Sequence, residues 1–245
     1  MLEVENLRKR FGGIAASDGV TLSVPAGELH ALIGPNGAGK TTLVALLAGS
    51  LAADAGAIRF GGADVTRLTQ HRRARAGLAR SHQITSIFLR FPVLENLALA
   101  VQAREGSSFS FWRPVAAEHA LFDEARELAA RVGLAGKESV PAAALAHGEQ
   151  RALEIGLALA TRPKMLLLDE PLAGMGPEES QRMVALIEGL RGRLTVLLVE
   201  HDMDAVFRLA DRVSVLVSGQ VIATGAPDEI RANAQVRGAY LGDPG

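Results

Sequence analysis

The chain has 245 residues, of which 48% are apolar, 22% charged and 4% aromatic, a balance that supports a sizeable core and excludes a disordered or fibrous protein. Its 26 Lys and Arg against 27 Asp and Glu leave a net charge of −1, which argues against a general nucleic-acid binder. The chain contains no cysteine, which removes disulfides, thiol catalysis and thiolate metal sites.

The first third alternates strands and turns. Leu2, Val4 and Leu7 form a strand-like run ending near Phe11-Gly12-Gly13, and residues 20–24 alternate at period two up to Pro25. Leu29–Ile33 reads as a buried strand leading into a glycine-rich turn and a helix over 41–49, and residues 57–60 give a further strand. From 94 to about 132 the pattern is helical and is broken by a loop at 106–114. A helix over 148–161 precedes a strand at 165–168; a helix from Pro177, a strand at Thr195–Val199, a helix at Met203–Leu209 and a strand at Arg212–Val217 follow. Strands alternating with helices predict right-handed crossovers and a mainly parallel sheet covered on both faces, with the helical middle inserted into it. Arg72, Arg73 and Arg75 read as a solvated helix face. The longest apolar runs, such as 194–199, fall far short of the ~20 residues of a membrane-spanning helix. The start, Met-Leu-Glu-Val-Glu-Asn, lacks the apolar segment of a secretory signal, so a soluble cytoplasmic chain is expected.

Gly34-Pro-Asn-Gly37-Ala-Gly39-Lys40-Thr41 fits the G-x-x-x-x-G-K-[ST] phosphate loop, with a strand before it and a helix after. Its glycines let backbone N–H groups close around phosphate oxygens, and the helix dipole adds positive charge there. Lys40 supplies a cation for the β- and γ-phosphates, and the Thr41 hydroxyl can ligate Mg²⁺. Asp169-Glu170 closes the apolar strand at 165–168, where open α/β sheets bind ligands. Asp169 can hold Mg²⁺ and Glu170 can polarise an attacking water.

With these motifs in order, the sequence resembles the ATP-binding cassette ATPases, the cytoplasmic engines of ABC transporters, over nearly its whole length. The resemblance implies an α/β fold: a RecA-like P-loop nucleotide-binding core with an N-terminal antiparallel β subdomain and an inserted α-helical subdomain. Residues 1–87 and 146–225 would form the core and β subdomain, 88–145 the helical subdomain and 226–245 a helical tail. It further implies that Gly34, Pro35, Asn36, Gly37, Ala38, Gly39, Lys40, Thr41 and Thr42 bind ATP, with Phe11 stacked on the adenine. Thr41, Asp169 and Gln83 would hold Mg²⁺, and Glu170, His201 and Gln83 would act on the attacking water. Leu145-Ala-His-Gly-Glu-Gln-Arg151 looks like the signature loop, whose Ala146, His147, Gly148 and Glu149 would face the nucleotide of a second ATPase chain. Two departures stand out. Ala146 and His147 replace the common Ser-Gly, which removes a hydroxyl, and Gly176 stands where the D-loop often has Asp.

Within the family, Arg10-Phe-Gly-Gly13, Leu153-Glu-Ile155, Pro171-Leu-Ala-Gly-Met-Gly-Pro177 and Ala239-Tyr-Leu-Gly242 look most like branched-chain amino acid uptake ATPases. The longer middle segment resembles the larger of that system's two ATPase types. The implied function is ATP hydrolysis driving import through a separate transmembrane permease, with a solute-binding protein as indirect partner, no nucleic acid, and a place on the inner face of the cell membrane. Urea or amide import, lipid export, a non-transport ABC ATPase and a regulatory module without turnover are the alternatives. Phe88, Leu89 and Phe91 read either as core or as a groove for a permease helix, and Phe109, Phe111 and Trp112 as packing or partner contact.

Overall fold

A computed structural model describes residues 1–81, 87–105 and 115–241. Gln83 and the loop carrying Phe109, Phe111 and Trp112 lie outside the described residues, as does Gly242. The chain divides into two compact units: residues 1–80, 164–171 and 190–245, and residues 81–163 and 172–189.

The first unit holds two sheets. β1 (Leu2–Phe11), β2 (Ile14–Val24), β4 (Ala55–Phe60) and β5 (Ala63–Asp64) form an antiparallel sheet in the order β2-β1-β4-β5. The second sheet runs β10-β9-β3-β8-β7-β6, from β3 (Leu29–Ile33), β6 (Leu78–Arg80), β7 (Met165–Asp169), β8 (Thr195–Val199), β9 (Arg212–Val217) and β10 (Gln220–Gly225). Its pairs are parallel except at the β9–β10 hairpin. β3, β7 and β8 are buried at every position, as strands covered on both faces must be. The helices of this unit are α1 (Lys40–Ala48), α2 (Gln70–Ala76), α7 (Met203–Leu209), α8 (Pro227–Ala232) and α9 (Ala234–Leu241). Leu43, Leu46 and Leu47 of α1 join Leu2, Val4, Ile58, Leu167 and Leu197 in one apolar cluster, so the helix that opens at the phosphate loop is held by the core.

The buried polar groups of this unit include His30 and Arg73. His30 is fully buried on β3, with its ring nitrogens 2.6 Å from Glu28 Oε1 and 2.8 Å from Ser214 Oγ, and burial lowers its pKa. Arg73 corrects the expectation of a solvated arginine face. Arg72 and Arg75 are exposed, but Arg73 is 2% exposed. Its guanidinium donates to the carbonyls of Leu46 and Leu47 at 2.7 Å each, and to those of Thr66 and Leu68 at 2.9 and 3.0 Å. It thereby gives Leu47 of the last turn of α1 a donor and adds a second to Leu46, whose carbonyl also accepts the Gly49 N–H at 3.2 Å.

The second unit is helical among its described residues: α3 (Val93–Glu105), α4 (Val115–Arg131), a 3₁₀ turn (Ala142–Ala144), α5 (His147–Ala160) and α6 (Pro177–Glu188). The 88–145 segment expected to form a helical subdomain lies inside this unit, which extends beyond it on both sides. Gly156 lets α3 and α5 approach, since a Cβ there would sit 3.0 Å from Leu97. Arg104 ties three helices together, donating to both carboxylate oxygens of Glu124 and to the Ala160 carbonyl. No helix among the described residues is long and apolar enough to cross a membrane.

Candidate functional site

The strand register of the first unit gathers the expected phosphate site. Leu32 of β3 and Asp169 of β7 both pair with Val199 of β8. The carboxyl ends of three adjacent strands therefore lead, side by side, into the glycine-rich loop, into Asp169-Glu170 and into Glu200-His201. This is the end of an open α/β sheet where ligands bind.

The loop itself is tightly constrained. A Cβ on Gly34 would lie 2.1 Å from the Leu216 carbonyl oxygen, and one on Gly39, at φ 103, would lie 2.2 Å from that of Ala16. Only glycine fits these close approaches. Gly219, in the β9–β10 hairpin, donates its N–H to the Ala38 carbonyl at 2.9 Å and so props the loop from behind. Lys40 opens α1 and is nearly buried, its ammonium donating to the carbonyls of Gly34 at 2.7 Å and Pro35 at 3.1 Å. Thr41 beside it is exposed. The ammonium is therefore held by two backbone carbonyls of the loop at the start of α1, a position where a helix N-terminus favours phosphate.

Asp169 is the last residue of β7 and is buried. Its Oδ2 accepts a 2.9 Å bond from Arg80 Nη2, while Oδ1 is buried with no hydrogen-bond partner among the described residues. Burial raises its pKa, against the opposing charge and hydrogen bond of Arg80 and the nearby Lys40. An unpaired carboxylate oxygen and an accessible hydroxyl, both hard oxygen donors, fit a metal that completes its shell with phosphate oxygens and water. Glu170 follows at φ 50, a left-handed backbone that few side chains adopt, with its N–H bonded to the Val199 carbonyl at 2.9 Å. His201 is exposed just past β8. Its neighbour Glu200 is fully buried and accepts the His201 N–H at 3.0 Å. Phe11 is 50% exposed at the end of β1, with the Lys9 ammonium 5.6 Å from its ring centre. Sequence reasoning missed Arg80 and Glu200. Only the placement of charge at the ends of β6 and β8 signals them.

A family model described as ABC transporter matches residues 17–173. The chain belongs to the ABC transporter ATP-binding family. It is an ATP-hydrolysing cassette, and nucleotide is its substrate. The high-affinity branched-chain amino acid transport ATP-binding protein BraF of Pseudomonas aeruginosa is 39% identical to it over 250 residues, covering 99% of this chain and 98% of that protein. The lipopolysaccharide export system ATP-binding protein LptB of Escherichia coli is 36% identical over 243 residues, covering 99% and 97%. A solved ADP conformation of an ABC transporter cassette is 30% identical, superposes with a TM-score of 0.85 and covers 99% of both chains. A model for the branched-chain amino acid ATP-binding cassette transporter matches residues 220–245.

In the second unit of the cassette, the expected signature residues open α5. Ala146 and His147 are exposed, and Ala146 offers no side-chain cap. Glu149 is taken up locally, accepting the Ala146 N–H at 3.2 Å and pairing with Lys137, whose hydrogen bond lowers its pKa. The Gly148 N–H faces Glu179 Oε1 of α6 at 3.4 Å. A cavity of about 410 Å³ opens beside this turn, lined in part by Gly148, Glu149, Glu179 and Arg182.

The aromatic cluster of the same unit is surface. Phe88 is 56% and Phe91 42% exposed, their rings stacked with centres 5.5 Å apart, and Leu89 is exposed between them. Buried Asn96 holds the turn rigid: its carboxamide oxygen accepts the Phe88 N–H, and its NH₂ donates to the carbonyls of Phe88, Phe91 and Pro92.

Proposed function

We propose that this cassette is the ATP-hydrolysing subunit of an importer for branched-chain or related amino acids, working on the inner face of the cell membrane with a permease and a second ATPase chain. The observation that carries the solute class is the match of residues 220–245 to the branched-chain transporter model, a segment outside the general cassette match. The near-complete overlap with BraF at 39% identity supports it. A solute-binding protein is the indirect partner.

In this reading Gly34, Pro35, Asn36, Gly37, Ala38, Gly39 and Thr42 wrap the phosphates, and Lys40 neutralises the β- and γ-oxygens. Thr41, Asp169 and Gln83 hold Mg²⁺, which when bound neutralises charge that develops on the transferring phosphoryl group. Glu170 accepts the proton of the attacking water, His201 donates to the γ-phosphate, and Gln83 orients that water. Phe11 stacks on the adenine. Ala146, His147, Gly148 and Glu149 complete the site of the second chain.

The exposed Phe88-Leu89-Phe91 turn is the permease contact. Rings held out of a core by a buried asparagine make a rigid apolar surface, the kind that receives a partner helix. The test is ATPase activity with the co-purifying permease in vesicles. Leucine, isoleucine or valine with the binding protein should stimulate turnover; stimulation by urea or by a lipid alone would overturn the solute class. Phe88→Asp with Phe91→Asp should abolish permease binding with little change in melting temperature, and early melting would mean that the rings are core.

A further inference from the structure

We propose that Arg80 is a positioning residue for the metal site: it clamps one oxygen of the Asp169 carboxylate and so leaves the other fixed for the cation. The proposal rests on the reading of Asp169 as the metal's carboxylate.

Arg80 ends β6, the edge strand of the parallel sheet, where it lies opposite Leu167 of β7. Asp169 stands two residues further along β7, on the same face of the sheet as Leu167. A long side chain reaching diagonally across one strand spacing brings the guanidinium to the carboxylate, and Nη2 meets Oδ2 at 2.9 Å. Both side chains are largely out of water, 12% and 1% exposed.

The pair is poorly designed for stability alone. A guanidinium and a carboxylate can bond through two parallel N–H···O contacts, yet here Arg80 Nε and Asp169 Oδ1 are both buried with no partner among the described residues. A buried ion pair left half satisfied is weak evidence of a stabilising role. The same geometry does suit positioning: Oδ2 is committed to Arg80, which restrains rotation of the carboxylate, and Oδ1 is left without a partner to meet a cation. Groups that hydrogen-bond a metal's carboxylate from behind set both its direction and its affinity.

The experiment compares affinities for the non-hydrolysable β,γ-imido analogue of ATP with Mg²⁺ and with EDTA, by calorimetry on the whole cassette. The ratio of the two isolates what the metal adds. R80Q should lower that ratio roughly 10-fold or more while leaving the metal-free affinity nearly unchanged, and R80K should be intermediate, because an ammonium restores the charge on a shorter side chain that holds the carboxylate less firmly. D169N should lose the metal advantage altogether. A wild-type ratio in R80Q and R80K, or an equal loss with and without metal, would overturn the role of Arg80 while leaving Asp169 in place. A wild-type ratio in D169N would instead overturn the reading of Asp169 beneath it. If R80Q does not fold, the R80K ratio decides, and a value below wild type is expected.

Discussion

The ammonium of Lys40 donates to the carbonyl oxygen of Gly34 at 2.7 Å, so the cation of the phosphate loop is held by the loop's own backbone. Carbonyls hold it but cannot neutralise it, which leaves an uncompensated positive charge at the loop. Lys40→Ala should therefore weaken MgATP binding by roughly 10- to 100-fold, the loss of one or two charge-assisted hydrogen bonds. Lys40→Arg should not rescue it, since a planar fork replaces a compact ammonium in a nearly buried position. Calorimetric affinities close to wild type would remove Lys40 from the site.

Glu170 sits at φ 50 directly after β7, a conformation that costs an ordinary L-residue about 1–2 kcal/mol. Two substitutions separate this strain from chemistry. Glu170→Gln keeps the shape and the strain, and should preserve nucleotide affinity and melting temperature while turnover falls roughly 10²–10⁴-fold. Glu170→Gly relieves the strain, and should also abolish turnover while melting no lower than wild type. Steady-state ATPase rates with parallel thermal melts check both, and unchanged turnover in Glu170→Gln would end its role as the base.

What the sequence made legible follows from length and regularity. β3 is apolar but for His30 and β8 but for Thr195, and the phosphate loop is a fixed spacing of glycines before a lysine, so both stand out without a structure. β6 is three residues long and α2 seven, too short for any periodicity to emerge. Those two elements carry Arg80, whose partner lies 89 residues away in sequence, and Arg73, two of whose four partners lie 26 and 27 residues away. Burial of Glu200 was equally hidden: a charged residue after an apolar strand reads as a solvated end unless the neighbouring strands are known. Exposure of Phe88 and Phe91 was undecided for the opposite reason, because aromatic residues alone cannot tell core from contact surface.

Arg73 yields a stability prediction. Its four donated bonds end on backbone carbonyls of 46, 47, 66 and 68, and its charge is largely desolvated, which lowers its pKa. Arg73→Met keeps much of the aliphatic volume and removes all four bonds; among the described residues only the Leu46 carbonyl then keeps a backbone donor, the Gly49 N–H. The expected cost is about 2–4 kcal/mol, set by a few unsatisfied buried acceptors, with most of it recovered in neither Lys nor Gln. Arg72→Met, on the exposed side of the same helix, should stay within about 0.5 kcal/mol of wild type. Urea melts of the two variants make the comparison; equal stabilities would mean that water, not Arg73, serves the end of α1.

The turn that opens α5 bears on whether one chain suffices for hydrolysis. Gly148 offers its N–H to Glu179 at 3.4 Å, a long and therefore weak bond, and a phosphate of a second chain would compete for the same donor with more charge. A side chain at 148 would crowd Glu179, since a Cβ there lies 3.2 Å from that residue's Cβ, Cδ and Oε1. Gly148→Asp adds like-charge repulsion to this crowding, so it should abolish hydrolysis while nucleotide still binds the unaltered phosphate loop. Glu179→Ala added to Gly148→Asp relieves the local crowding, and should restore any lost melting temperature without restoring turnover. Ala146→Ser returns the missing hydroxyl and should be tolerated. If the proposed two-chain site holds, wild-type activity should meanwhile rise faster than linearly with enzyme concentration while the dimer is weak. The check is the ATPase rate over a dilution series, with nucleotide affinity and sizing at each concentration. Strictly linear rates down to concentrations where only monomer elutes would mean that one chain completes its own site, and Gly148 would then have no nucleotide to face.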